Sequence, residues 1–176
     1  LGKYYLYFAD HKGSYIRLAY ADELSGPWKI HVPGSLQLSD SLFLTEPPDA
    51  PPSALEEIKK QRHALRGPDV LPHSLLEELT TPHIASPDVH VDLNTKTIVM
   101  YYHGLESLGH QVTRMATSQD GIRFSARPEV LSRSYLRAFR HENQIFALVM
   151  PGQIYRFEEG LPPLDQGPLL FNKDMR

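Results

Sequence analysis

One stretch of this chain is written twice. Residues 15–28, YIRLAYADELSGPW, recur at residues 111–124 as QVTRMATSQDGIRF, with Arg17 against Arg114 and Ala19 against Ala116. Each copy follows a short apolar run, YYLYFA at residues 4–9 and TIVMYY at residues 97–102. Runs this short, rich in aromatic and β-branched residues and bounded by turn residues, read as strands. Lys12-Gly13, Ser25-Gly26-Pro27 and Gln119-Asp120-Gly121 supply the turns, and residues 28–30 and 122–124 are expected to start the next strand of each copy. A weaker third copy follows, led by residues 134–139, with residues 144–149 and 153–157 as its hairpin and Glu159-Gly160 as its turn. A unit of several antiparallel strands that recurs every 40 to 50 residues or so is the pattern of β-propeller blades, which cover their apolar faces only by stacking on neighbours. The expected fold class is all-β, a β-propeller with about three blades present, at residues 1–38, 83–130 and 131–176.

Residues 39–82 interrupt the repeat. The segment Glu46-Pro47-Pro48-Asp49-Ala50-Pro51-Pro52 cannot pair in a sheet. Ser53, with Glu56 three residues on, reads as a capping box opening a helix over residues 54–65, which Gly67-Pro68 would stop. Leu71-Pro72-His73-Ser74 then leads into a second short helix over residues 75–79. This small helical insertion is expected either as a lid or rim beside a pocket or as a solvated decoration.

Composition narrows the classes. A chain of 176 residues can bury a core. Its net charge of −3 argues against nucleic acid as a partner, since phosphate binding calls for a basic face. No run of about 18 apolar residues is present, so no membrane-spanning helix is expected. Cysteine is absent, which excludes disulfides and thiolate metal sites. Compartment stays open between the cytoplasm and secretion. The chain opens at Leu1 directly before its first strand and ends at Met175-Arg176 with no closing element, so it reads as a piece of a larger ring. Three blades alone would leave apolar faces exposed, and self-association through them is expected.

The run KYYLYFAD at residues 3–10, IRLAYAD at residues 16–22 and Gly26-Pro27-Trp28 together resemble a blade of the five-bladed propeller glycosidases, the family 43 glycoside hydrolases and their arabinanase, xylosidase and fructosidase relatives. Ala85-Ser86-Pro87-Asp88-Val89 resembles their APDV motif, and residues 118–124 resemble their aspartate-glycine turn. The resemblance implies a five-bladed ring acting on a glycosidic bond, with an oligosaccharide or small sugar as partner. It also implies three acids in a central funnel: a base Asp, an Asp that tunes pKa and orients the sugar, and an acid Glu.

On that resemblance Asp88 takes the place of the tuning aspartate. Period-two alternation puts Asp88 and His90 on one face of their strand. Asp10 and His11 end the first strand where propeller pockets are lined. Asp88 and Asp10 are therefore the catalytic candidates, against a plain reading of each as a turn or cap residue. His83, His90 and His103 gather near Asp88 in the expected fold, and Arg137 lies on the leading strand of the third copy. With His11 these are the expected sugar-contacting residues, since imidazole, guanidinium and carboxylate groups all hydrogen-bond neighbouring hydroxyls. No cofactor and no catalytic metal are expected, although a structural ion in the central channel is compatible with His and Asp ligands. Glu159-Gly160 is the single Glu-Gly pair and sits in a turn position, so the acid Glu is not visible. The readings are a glycosidase, favoured, or a propeller that binds carbohydrate or protein without catalysis.

Overall fold

The computed structural model describes residues 2–66, 75–142, 144–158 and 161–170. They form three successive antiparallel sheets. The first contains β1 (Tyr4–Phe8), β2 (Tyr15–Ala21) and β3 (Lys29–Gln37). The second contains β4 (Ile84–Asp92), β5 (Thr97–Ser107), β6 (His110–Ser118) and β7 (Ser125–Ala126), with β8 (Ser132–Arg133) paired to another part of β6. The third contains β9 (Leu136–His141), β10 (Gln144–Val149), β11 (Gln153–Glu158) and β12 (Leu161–Leu169). Strand order follows chain order within each sheet, so each is built by local hairpins.

The written repeat is a structural repeat. Phe8 pairs with Arg17 across β1 and β2, and Tyr102 pairs with Arg114 across β5 and β6. Leu6 faces Ala19 as Met100 faces Ala116. Strand β1 therefore occupies the place of β5. The repeated arginine has the same task in both copies. Arg17 pairs with Asp10 in the first hairpin, and Arg114 grips both carboxylate oxygens of Glu106 at 2.9 Å in the second.

Two cores lie between the sheets, and β5 feeds both. Ile98, Met100 and Tyr102 join Ile16, Leu36 and Ile84 between the first and second sheets, whereas Val99 and Tyr101 pack with Leu136, Ala147 and Phe157 of the third. Successive residues of one strand point to opposite faces, so a continuous apolar run is what a twice-covered strand needs.

The insertion is anchored in the first of these cores. Buried Phe43 joins it, the Tyr102 hydroxyl donates to the Ser41 carbonyl at 2.8 Å, and the Leu44 amide donates to the Leu105 carbonyl. Two helices follow, α1 (Pro52–Arg66) and α2 (Leu75–Thr80). Helix α1 starts at Pro52 and not behind a Ser53 cap. The amides of Ala54 and Leu55 reach the Pro51 carbonyl, and Glu56 pairs with Lys59 at 2.6 Å. The fixed φ of a proline in the first turn pre-forms the helix start and displaces the serine into the helix. Residues 122–124 are not a strand either. The Asp120 carboxylate accepts the amides of Ile122 and Arg123 at 2.8 and 2.9 Å, which holds the chain in an aspartate turn. Pairing resumes at β7. The expected helix stop at Gly67-Pro68, the lead-in at residues 71–74 and the turn at Glu159-Gly160 fall outside the described residues.

Gly104 in β5 marks where the insertion presses on the sheet. A Cβ there would stand 2.4 Å from Phe43 Cδ2 and 2.5 Å from the His83 carbonyl oxygen. The second neighbour is backbone and cannot turn aside. Gly104→Ala is expected to cost about 1–3 kcal/mol, the usual range for overpacking, read as a lowered urea midpoint with an unchanged slope.

Candidate functional site

The strands place two groups of side chains at opposite ends of the second sheet. At the end where β4 begins, the turn after β1 is bonded to β4. The Ile84 amide donates to the Gly13 carbonyl at 2.9 Å, which brings His11 and Lys12 beside His83. Helix α2 runs into the same spot, since Lys12 Nζ donates to the Glu77 carbonyl and the Gly109 amide donates to the Leu79 carbonyl. The insertion thus forms part of the rim here.

His83 and His103 are the buried centre, 1% and 3% exposed, with rings 5.7 Å apart. They come together because Ala85 pairs with His103 across β4 and β5. His83 Nδ1 lies 2.8 Å from the Thr81 carbonyl, which can only accept, so Nδ1 carries the proton and Nε2 is left as an acceptor in the neutral ring. Burial pushes the His83 pKa down, and the charges of Lys12 and His11 add to that. Burial also pushes His103 down, to about 3, helped by His83, Arg137 and His11. Both rings are therefore neutral at ordinary pH. The Tyr135 ring stands edge-on to His103 at 4.5 Å. Tyr135, Lys12 and Gln111, whose side chain hydrogen-bonds His83, were not singled out from sequence. No local spacing announces them, because each arrives from a different hairpin.

Asp88 lies further along β4, beyond a bulge between Ala85 and Asp88 at which Ser86 adopts φ 53°. Its carboxylate Oδ2 accepts the Ala138 amide of β9 at 2.7 Å, bridging the second and third sheets. His90 Nε2 stands 3.1 Å from Oδ1, an ion-pair approach whose angle falls outside hydrogen-bond range. Burial raises the Asp88 pKa, but His90, the Ala138 amide and the charge of Arg137 outweigh it, so the carboxyl is held below its usual range. Asp88 and His90 do share a face, as alternation requires.

Arg137 is exposed. As the second residue of edge strand β9 it donates to the Ser86 carbonyl at 3.2 Å and to the Leu136 carbonyl at 2.9 Å. Asp10 is turned to Arg17 and its side chain is 63% exposed. Structure therefore gathers His11, His83, His103 and Arg137 about one strand end, with Asp88 and His90 behind them, while Asp10 is engaged by its own hairpin. Among the described residues no three His, Asp or Glu side chains converge as a metal site.

The buried imidazoles make stability depend on pH. A histidine whose folded pKa lies below its unfolded value binds fewer protons in the folded state, so its contribution is intact above the unfolded value and is lost as pH falls. For His103 the loss runs from about 6.5 down to about 3. Between pH 6.5 and 5 it amounts to about 2 kcal/mol, above the range where Asp88 is protonated. Chemical denaturation at pH 7 and 5 is expected to show this fall, and His103→Gln is expected to flatten it.

Comparison with known proteins agrees at the level of the fold. No family model matches the chain. An uncharacterized protein of Acanthamoeba polyphaga mimivirus is 30% identical over 168 residues, which is 94% of this chain and 40% of that protein. Among solved structures, a GH43 β-xylosidase/α-arabinofuranosidase from a compost microbial metagenome superposes with a TM-score of 0.51 at 12% identity, over 83% of this chain and 38% of that one. An exo-β-1,3-galactanase from Phanerochaete chrysosporium superposes with a TM-score of 0.56 at 12% identity, over 94% and 35%. The chain thus spans well under half the length of each of these proteins. It is a mostly β chain of several antiparallel sheets, with a fold like that of these glycoside hydrolases.

Proposed function

We propose that the three sheets are blades of a family 43-like propeller and that the His83–His103 end of the second sheet is a carbohydrate site acting on, or holding, a glycosidic bond. The observation that carries this reading is the pair of buried, neutral imidazoles beside Tyr135 and Arg137, close to a partly buried carboxylate. Neutral imidazoles offer acceptors as well as donors, an aromatic ring covers the apolar face of a sugar, and guanidinium donates to its oxygens. This grouping lies on a fold shared with glycoside hydrolases.

Its chemistry assigns Asp88 one role and denies it another. A carboxyl held below its usual range is ionised at neutral pH and cannot protonate a leaving oxygen. It can orient a sugar hydroxyl, support a positive transition state, or act as base. The acid would have to come from a carboxyl with a raised pKa. Among the described residues the carboxyls with shifted values, Asp22, Glu56, Asp88, Asp92 and Asp120, are all shifted down. That observation favours a second reading, a propeller that binds carbohydrate without cleaving it. In either case the blades at residues 1–38, 83–130 and 131–176 and the insertion at 39–82 act as one body, with the insertion as rim.

A screen of aryl glycosides and natural oligosaccharides separates the readings. A hydrolase is expected to lose at least a hundredfold in kcat in Asp88→Asn with little change in KM. A binding protein is expected to show saturable sugar binding by calorimetry that His103→Ala weakens at least tenfold, with no turnover in the parent. The absence of both turnover and sugar binding would overturn the carbohydrate reading.

A further inference from the structure

The second and third sheets touch closely at one end and part at the other. At the Asp88 end they are bridged by the Ala138 amide and by Arg137 on the Ser86 carbonyl. Toward the β4–β5 and β9–β10 turns they diverge around a cavity of about 770 Å³. This volume is within the range of roughly 300–1,000 Å³ typical of small-molecule sites. Val99, Tyr101 and Met115 form one wall, and Ile145 and Phe157 form the other. His90 lies at the inner end, next to Asp88. The body of the cavity is at the opposite end of β4 from His83 and His103 and meets the carbohydrate site proposed above only at His90, so the inference does not depend on that reading.

Charge at the mouth is asymmetric. Arg140 of β9 lines the cavity; among the described residues its side chain makes no hydrogen bond or close ion pair, and its charge acts on Asp92 and Tyr101 at longer range. Asp92 is the carboxylate nearby, but it is tied into its own turn. Its Oδ1 accepts the amides of Asn94 at 2.9 Å and Thr95 at 3.3 Å. Thr117 and Gln144 add neutral polar groups to the rim. A partly apolar, aromatic-lined cleft whose lining carries the guanidinium groups of Arg140 and Arg156 fits a ligand with a flat apolar body and one negative charge. Asp92 disfavours a second charge by repulsion.

From this geometry we infer that the cleft between the second and third sheets is a binding site for small amphipathic monoanions, aromatic or branched-chain carboxylates, with the apolar body against Val99, Ile145 and the packed Tyr101–Phe157 pair and the carboxylate on Arg140. Guanidinium and carboxylate match as a two-pronged pair, and desolvation at the end of an apolar cleft strengthens the contact.

The test uses 2-naphthoate as probe, with 2-naphthalenemethanol and 2-naphthylmethylamine as neutral and cationic controls of the same shape. Affinities come from calorimetry, and methyl NMR shifts of Val99, Met115 and Ile145 locate the site apart from apolar residues exposed elsewhere, such as Leu6 and Val32. Naphthoate is expected to bind at least tenfold tighter than either control and to move these methyls. Arg140→Gln, at an exposed position, is expected to erase the preference for the acid, and Thr117→Trp to block all three compounds. Equal affinity for acid and alcohol, tighter binding of the amine, shifts confined to other methyls, or a preference that survives Arg140→Gln would each overturn the inference. The comparison of the three probes on the unmodified protein stands even if a variant fails to fold.

Discussion

Strand β5 is the constraint on which the rest of the molecule depends. A twisted sheet with one apolar face needs one neighbour, and a strand apolar on both faces needs two. Met100 and Tyr102 commit one face of the second sheet to the first sheet, and Val99 and Tyr101 commit the other to the third. Every group at the candidate site is placed through this arrangement. His103 belongs to the same strand, His83 is beside it through β4, and Tyr135 and Arg137 arrive with the third sheet that the Tyr101 face holds in place.

Much of this was legible because it is written at the level of alternation and repetition. The recurrence of Arg17 at Arg114 predicts matched hairpins, and the pairing of each arginine with an acid of its own hairpin is that prediction in atoms. Asp88 and His90 on one face follow from a period of two. What stayed hidden has two causes. Local backbone chemistry overrode the general rule at Pro52, which displaces the Ser53 cap, and at Asp120, which gathers the amides that a strand would have offered. Contacts between hairpins distant in sequence carry no local signal at all. Tyr135 against His103 is one such contact, and the docking of Phe43 against Gly104 is another.

Asp88 shows how a site residue and a structural residue can be one group. Its Oδ1 faces His90 of its own strand and its Oδ2 is fixed by the Ala138 amide, so one of the contacts that stabilise the charge also joins two sheets. A carboxylate so held is ionised at neutral pH, which suits it to orient a donor, oppose positive charge or act as base. Truncating such a group also leaves a buried amide without its acceptor, and the cost of that is greater than the net worth of the bond. A conservative change from carboxylate to amide keeps an oxygen toward Ala138 while removing the charge. It is therefore the substitution that separates chemistry from scaffolding at this position.

The bridge at Asp88 also explains why one pair of sheets closes at one end and opens at the other. Beside the bridge the third sheet carries two small side chains, Ala138 and Ala147, paired across β9 and β10. Further along, Arg140 and Ile145 of the third sheet and Asp92 and Val99 of the second line the cavity, and charged groups that keep their water cannot close the gap as aliphatic residues would. The divergence is thus a consequence of where polar residues interrupt an apolar alternation. Alanines beside the bridge and arginine at the rim set the shape of the cleft, so the same period of two that builds the cores also decides where they stop.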